Sequence, residues 1–217
     1  MSQKDDNNRK DEKSLKLYIV RHGETEWNLI KKFQGQLDSP LTENGIKIMK
    51  NTGNKLKNII FSRVYTSELG RAVKSAEIIL NKNINYKNDK TEIKKMSELN
   101  EVYFGLWQGL SHEEVFEKYP EEAKNYFYNV RKYNAENIKA EKLKDALDRF
   151  LRGIEKILKN HKSGNILIVT HGTVLEMFIN YVGNSSIFDI DERTLMGNGD
   201  YKIFSYEDGK FQEETDK

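Results

Sequence analysis

A β-rich run, Leu15-Lys16-Leu17-Tyr18-Ile19-Val20, and a continuous apolar run, Ile166-Leu167-Ile168-Val169, are each bounded by polar residues and soon followed by a glycine. Such short, β-rich runs predict strands buried on both faces. A third strand is predicted over Asn58–Tyr65. From Thr42 the pattern changes to helical spacing, with Ile46, Met49, Gly53 and Leu56 on one face, Thr42 as N-cap and Leu41 placed to staple onto Ile46. Thr66-Ser67 is expected to cap a helix through Arg71, Ala72, Ala76 and Ile79, which puts Arg71 in its first turn. One or two short strands are expected within residues 83–101. Ser111-x-x-Glu114 reads as a capping box, Pro120 as a second helix start, and Leu143, Leu147, Phe150, Leu151, Ile154, Ile157 and Leu158 as the apolar stripe of a long helix. After His171-Gly172 a helix through Val174, Phe178 and Val182 is expected to stop at Gly183, and a hairpin over Tyr201–Phe211 to turn at Asp208-Gly209.

Strands alternating with helices predict an α/β fold, a layered α/β/α sandwich with a mostly parallel central sheet, and ligands then bind beyond the carboxyl ends of the strands. Met1–Ser14 is charged and nearly devoid of apolar side chains, so a flexible arm is expected there. Residues 15–217 are expected to form a single domain with a helical subdomain at about 111–160, in keeping with the chain length of 217.

Composition narrows the function. Lys+Arg number 36 against 34 Asp+Glu, a net charge of +2, which argues against a nucleic-acid protein held by a broad basic surface. With no cysteine, a disulfide scaffold, a thiolate zinc site, an iron–sulfur cluster and a cysteine nucleophile are all excluded. No apolar run approaches the ~18 residues of a membrane span, and Met1–Ser14 has no apolar leader core, so a cytoplasmic protein is expected.

Of the 4 histidines, His22 and His171 share one context, a buried strand running out into His-Gly, whereas His112 and His161 lie among polar helical residues. Arg21 precedes His22, and Arg71 belongs to a helix beginning at the same sheet edge. Two guanidiniums, two imidazoles and a helix N-terminus make a pocket for a dianion.

Arg21-His22-Gly23-Glu24-Thr25-Glu26-Trp27-Asn28 and Phe33-Gln34-Gly35-Gln36-Leu37-Asp38-Ser39-Pro40-Leu41-Thr42 resemble the opening motif of the histidine phosphatase superfamily, also called the phosphoglycerate mutase-like family. Tyr65-Thr66-Ser67-Glu68-Leu69-Gly70-Arg71-Ala72 is similar to its second motif, Leu99-Asn100-Glu101 through Gln108-Gly109 to the segment bearing its acidic residue, and Val169-Thr170-His171-Gly172 to its last. The resemblance implies a metal-free, cofactor-free site in which His22 takes the phosphoryl group and Arg21, Arg71 and a protonated His171 hold its oxygens. Glu101 is implied as the acid and base, with Glu98 the competitor. Val102, Tyr103 and Phe104 are expected to give Glu101 an apolar setting. It also implies secondary pocket roles for Asn28, Gln34, Gly35, expected to let backbone approach the ligand, and Gly172. Trp27 and Trp107 are expected to be packing residues.

The implied function is phosphomonoester hydrolysis through a phosphohistidine, on small phosphorylated metabolites. The alternative is a cofactor-dependent phosphoglycerate mutase. Gln108, where many of the family's phosphatases carry Glu, favours the mutase. Against it, the segment from Ser111 to Glu141 is short, and Arg131-Lys132 is its only basic pair for a substrate carboxylate. A member that only binds phosphorylated ligands is the reading from another class. Neither nucleic acid nor membrane is expected as a partner; the oligomeric state is open, a homodimer included.

Overall fold

Alternate residues of each predicted strand go to opposite faces of a sheet, and that alternation sorts this molecule into layers. Residues 14–86, 92–189 and 195–214 are described by the computed structural model. Nearly all of the expected N-terminal arm lies outside them. Strands β1 (Leu15–Arg21), β2 (Phe61–Thr66), β3 (Ile93–Lys95), β4 (Gly164–Thr170), β5 (Tyr201–Glu207) and β6 (Lys210–Glu214) form one sheet in the order β3-β2-β4-β1-β5-β6. The pairs among β3, β2, β4 and β1 are parallel, and those of β5 with β1 and β6 antiparallel. Leu17 and Ile19 of β1 face one buried cluster, Tyr18 and Val20 the other.

The second cluster is covered by α2 (Glu43–Lys55) and α3 (Gly70–Leu80), the first by α6 (Leu143–Asn160) and α7 (Gly172–Val182). These two helical covers give the α/β/α sandwich. Phe150 of α6 and Phe178 of α7 are fully buried, their rings 5.5 Å apart. Burial of each such ring is worth about 1.5–3 kcal/mol. Further helices are α1 (Glu26–Leu29), α4 (His112–Lys118) and α5 (Pro120–Tyr128). The apolar residues of α4 and α5 join the same cluster as α6 and the sheet.

Local signals acted where the backbone needed them. Thr42 accepts from Gly45 N–H at 2.8 Å, Ser111 and Glu114 close a capping box, and Pro120 is the first residue of α5. Asp208 and Gly209 turn the terminal hairpin with φ of 49° and 81°, the left-handed pair that a two-residue turn requires.

Two boundaries differ from expectation, while the short strand expected within residues 83–101 is present. β2 starts at Phe61 rather than Asn58, because Ile59 N–H closes a turn onto Leu56 O and Asn83 Nδ2 ties down both Leu56 O and Ile59 O. Residues 92–101 hold one short strand, β3, followed by a 3-10 turn at Ser97–Leu99. Thr66-Ser67 does not cap α3: Thr66 ends β2, Leu69 is the N-cap without a side-chain bond, and Asp38 Oδ1 accepts the Arg71 N–H at 3.4 Å. The Ser67 hydroxyl is instead drawn to a buried imidazole.

Candidate active site

Parallel pairing of β1 with β4 sets Arg21 opposite Thr170, so the residues that follow each strand emerge side by side. His22 N–H donates to Thr170 O at 3.0 Å, and the rings of His22 and His171 lie 5.2 Å apart. The paired His-Gly ends of the sequence thus become one wall at the carboxyl edge of the sheet.

His22 Nδ1 lies 2.7 Å from Gly23 O. A carbonyl only accepts, so Nδ1 carries the hydrogen and Nε2 keeps its lone pair. Arg71 Nε donates to that lone pair at 3.3 Å. Burial pushes the His22 imidazole well below the usual histidine range, and the charges of Arg71 and Arg21 add to the effect against the opposing Gly23 bond. His22 is therefore neutral at neutral pH, the state a nucleophilic imidazole needs.

Arg71 is held by its remaining donors. Nη1 donates to Leu37 O at 2.6 Å and to Asp38 at 3.0 Å, and Nη2 to Gly35 O at 2.7 Å. Burial lowers its pKa while Asp38 and Glu101 oppose the shift. Ser75 links this helix to the His22 turn, donating to Arg71 O at 2.7 Å and accepting from Gly23 N–H at 2.9 Å. Arg21 Nη1 donates to Met196 O, and its guanidinium lies against Gly172, where a Cβ would come within 3.1 Å of Cζ.

Glu101 sits at the N-terminus of α7. Its Oε2 accepts from Thr173 N–H at 3.1 Å, and Oε1 from Val174 N–H at 3.2 Å and Val102 N–H at 3.0 Å. Backbone N–H groups at a helix start surround this carboxyl; of the apolar neighbours expected, Val102 and Phe104 are buried and Phe104 lines the same cavity, whereas Tyr103 is exposed. Glu98, the competitor, instead pairs with Lys156 of α6.

Arg21, His22, Arg71, Glu101, Asn28, Gln34, Gly35 and Gly172 all line one cavity of about 460 Å³. His171 stands directly behind this wall. Its Nε2 is 2.7 Å from Ser67 Oγ, while Nδ1 is buried with no hydrogen-bond partner among the described residues. Burial, then Arg71, His22 and Arg21, push its imidazole well below the usual histidine range, a shift against the protonated state expected for it. The secondary residues line the cavity in different ways. Asn28 Oδ1 is occupied by Thr25 N–H and Oγ1 at 3.1 and 3.0 Å, which leaves its amide NH2 for the cavity. Gly35 has φ +53°, and the group that approaches it closely is Gln108 Oε1, 2.3 Å from where a Cβ would stand. Gln34 Oε1 accepts from Ser39 Oγ at 3.1 Å.

Several lining residues escaped the sequence reading. Trp27 lines the cavity with Lys32 Nζ 5.7 Å over its ring, contrary to a packing role, whereas Trp107 is in the core as expected. His112 lines it too, between Phe33 and Phe127 at ring distances of 4.9 and 5.0 Å. Lys31 and Phe104 complete the outer part. Asn198 Nδ2 donates to His22 O at 3.0 Å, a contact with no local signal in the sequence. The departure at Gln108 was a signal: its Oε1 accepts from Gln36 N–H at 2.8 Å and shapes the loop carrying Gly35. Among the described residues no three His, Asp or Glu side chains converge to hold a metal, and no helix is long and apolar enough to cross a membrane.

Comparison with known proteins agrees with this geometry. The family model described as "Histidine phosphatase superfamily (branch 1)" matches residues 17–215. Phosphoserine phosphatase 1 of Hydrogenobacter thermophilus is 32% identical over 158 residues, 72% of this chain and 71% of that protein. A 2,3-bisphosphoglycerate-dependent phosphoglycerate mutase of Buchnera aphidicola is 33% identical over 212 residues, covering 84% of this chain and 91% of its own. The solved structure of Bacillus stearothermophilus YhfR superposes with a TM-score of 0.84 at 29% identity, over 92% of this chain and 95% of that one.

Proposed function

The chain belongs to the histidine phosphatase superfamily, branch 1, and from that premise we propose that it hydrolyses phosphomonoesters of small metabolites through a phosphohistidine at His22. The observation that carries the reading is the neutral His22 imidazole with its Nε2 lone pair turned to Arg71 in a cavity that Arg21 and Glu101 also line. Nε2 attacks phosphorus in line as the bond to the leaving oxygen breaks. The phosphoryl oxygens draw Arg71 Nε off Nε2 and share Arg21, the Asn28 amide and the α7 N-terminus at Gly172. His171 takes a proton once the dianion lies beside it, because an adjacent opposite charge favours the imidazolium. The Glu101 carboxyl gives its proton to the leaving alkoxide, then takes one from the attacking water, whose oxygen displaces Nε2 and releases inorganic phosphate. No step calls for a metal or a cofactor.

The outer cavity, with Trp27, Phe33, Phe104 and Phe127 as walls and Lys31 and Lys32 near them, accepts a leaving group of modest size and mixed character. Hydrolysis is favoured over isomerisation by the fate of Arg131-Lys132. Arg131 is exposed, pairs with Asp189 at 3.5 Å and stays off the cavity, so this pair does not grip the far end of a substrate. A mutase must hold its substrate while the phosphohistidine is kept from water. Incubation with 3-phosphoglycerate and a trace of 2,3-bisphosphoglycerate tests this: phosphate should appear faster than 2-phosphoglycerate, and the reverse order overturns the hydrolase reading.

A further inference from the structure

The short segment that carries Glu101 leaves its backbone carbonyls facing α6, and a single side chain gathers them. Arg149 Nη1 donates to Glu98 O and Asn100 O, both at 2.9 Å, and to Ser97 O at 3.3 Å. Its Nη2 reaches Glu101 O at 3.2 Å, where Gln36 Nε2 also donates at 3.1 Å. The fork itself is aimed by Glu141, bound bidentately through Nε and Nη2 at 2.9 Å each. Glu141 is tied in turn to the far side of the segment, its Oε2 accepting from Tyr103 N–H at 3.2 Å and its N–H donating to Tyr103 O at 2.8 Å. Gly153, one turn further along α6, is what lets the segment lie so close: a Cβ there would come within 2.8 Å of Glu98 Cβ.

We propose that Arg149 is a positioning residue for the reaction, fixing the Glu101 carboxyl at the leaving-group side of the pocket by clamping the backbone on which it stands. Arg149 does not line the cavity. Its effect therefore passes through Glu101, and the proposal rests on the reading of Glu101 as proton donor. A planar fork with five donors can serve a carboxylate and several carbonyls together; an ammonium, with three donors and no plane, cannot. Misplacement of a catalytic group by about 1 Å can cost on the order of a hundredfold.

Arg149→Lys and Arg149→Met are compared with Glu101→Gln and with the Glu101→Gln/Arg149→Lys double variant, using phosphoserine as an alkyl ester and p-nitrophenyl phosphate as an ester whose leaving group needs little protonation. Either Arg149 variant should lose about tenfold or more of kcat on phosphoserine and less than about threefold on p-nitrophenyl phosphate, since only proton donation is disturbed. Retained p-nitrophenyl phosphate turnover doubles as the measure of folding, and Arg149→Lys supplies it if Arg149→Met does not fold. Adding Arg149→Lys to Glu101→Gln should change kcat by less than about twofold, because residues acting as a unit are not additive. Equal losses on both esters, no loss on either, or multiplying losses in the double variant would overturn the proposal. If Glu101→Gln alone loses both esters equally, the acid reading falls instead, and the double variant still decides whether Arg149 acts through Glu101.

Discussion

The two sides of this pocket are held by different means. On the side proposed to hold the phosphoryl group, Arg21, His22 and His171 follow directly from paired parallel strands, and their positions are set by ladder register and the His22 N–H bond to Thr170 O. On the proposed leaving-group side, Glu101 stands on irregular chain whose place depends on groups from elsewhere, notably the Arg149 and Gln36 side chains and the backbone N–H groups of the α7 N-terminus. A sheet edge tolerates the loss of any one side chain because backbone bonds keep the geometry. A loop held by side chains loses its geometry with them. Substitutions on the first side should therefore change chemistry and leave shape, and those on the second should change both.

The sharpest way to break this contrast is His22→Ala. Turnover should fall about a thousandfold or more on every ester, with alkyl and aryl leaving groups affected alike, while the melting temperature moves little. A leaving-group-dependent loss, or phosphate label recovered after rapid quench on a residue other than His22, would contradict the assignment of the phosphoryl side.

Next in size, Glu101→Gln should cost about a hundredfold in kcat on an alkyl ester and less than about threefold on p-nitrophenyl phosphate, as expected for loss of a general acid. Substituting Glu98, which pairs with Lys156 away from the cavity, should leave both within about twofold of wild type, as is usual for surface changes. Exchange of these two outcomes would move the acid to Glu98.

Gly35→Ala probes the seam between the sides, where Gly35 O holds Arg71 and Gln108 crowds the absent Cβ. With φ at +53°, an added Cβ should cost about 1–2 kcal/mol of stability and weaken substrate binding several-fold. Pairing it with Gln108→Ala should recover the part due to crowding and leave the part due to backbone strain, which thermal melts of the two variants can separate.

The smallest effect is on pH. His22 and His171 are held neutral by burial, with folded pKa values well below the usual 6.5. The unfolded chain binds more protons than the folded one as pH drops below that value, so stability is full above it and declines on acidification. The slope approaches about 1.4 kcal/mol per pH unit for each such histidine. Melting temperatures taken downward from pH 7.5 should fall, and less steeply in His22→Ala. The acid limb of kcat/KM should likewise lie below the ordinary histidine range, because His22 must lose its proton to attack.

Much of this molecule was legible in the chain itself. Strand periodicity, the Thr42 and Ser111 caps, Pro120, the α6 stripe and the Asp208-Gly209 turn are local signals whose physics acts within a few residues. The placing of His22 and His171 at one edge also followed, since parallel strands ending in the same dipeptide must present it together. What lies between elements did not follow. Ser67 as the partner of His171 instead of a cap, the Thr173 and Val174 N–H groups on Glu101, Gln108 against Gly35 and Asn198 on His22 O pair residues far apart in sequence. Their hydrogen bonds are chosen by which polar groups the packed core leaves facing one another. The charge state of His171 belongs here too, because desolvation by the assembled core and the cations beside it, not the residue's neighbours in the chain, decides whether its imidazole can hold a proton.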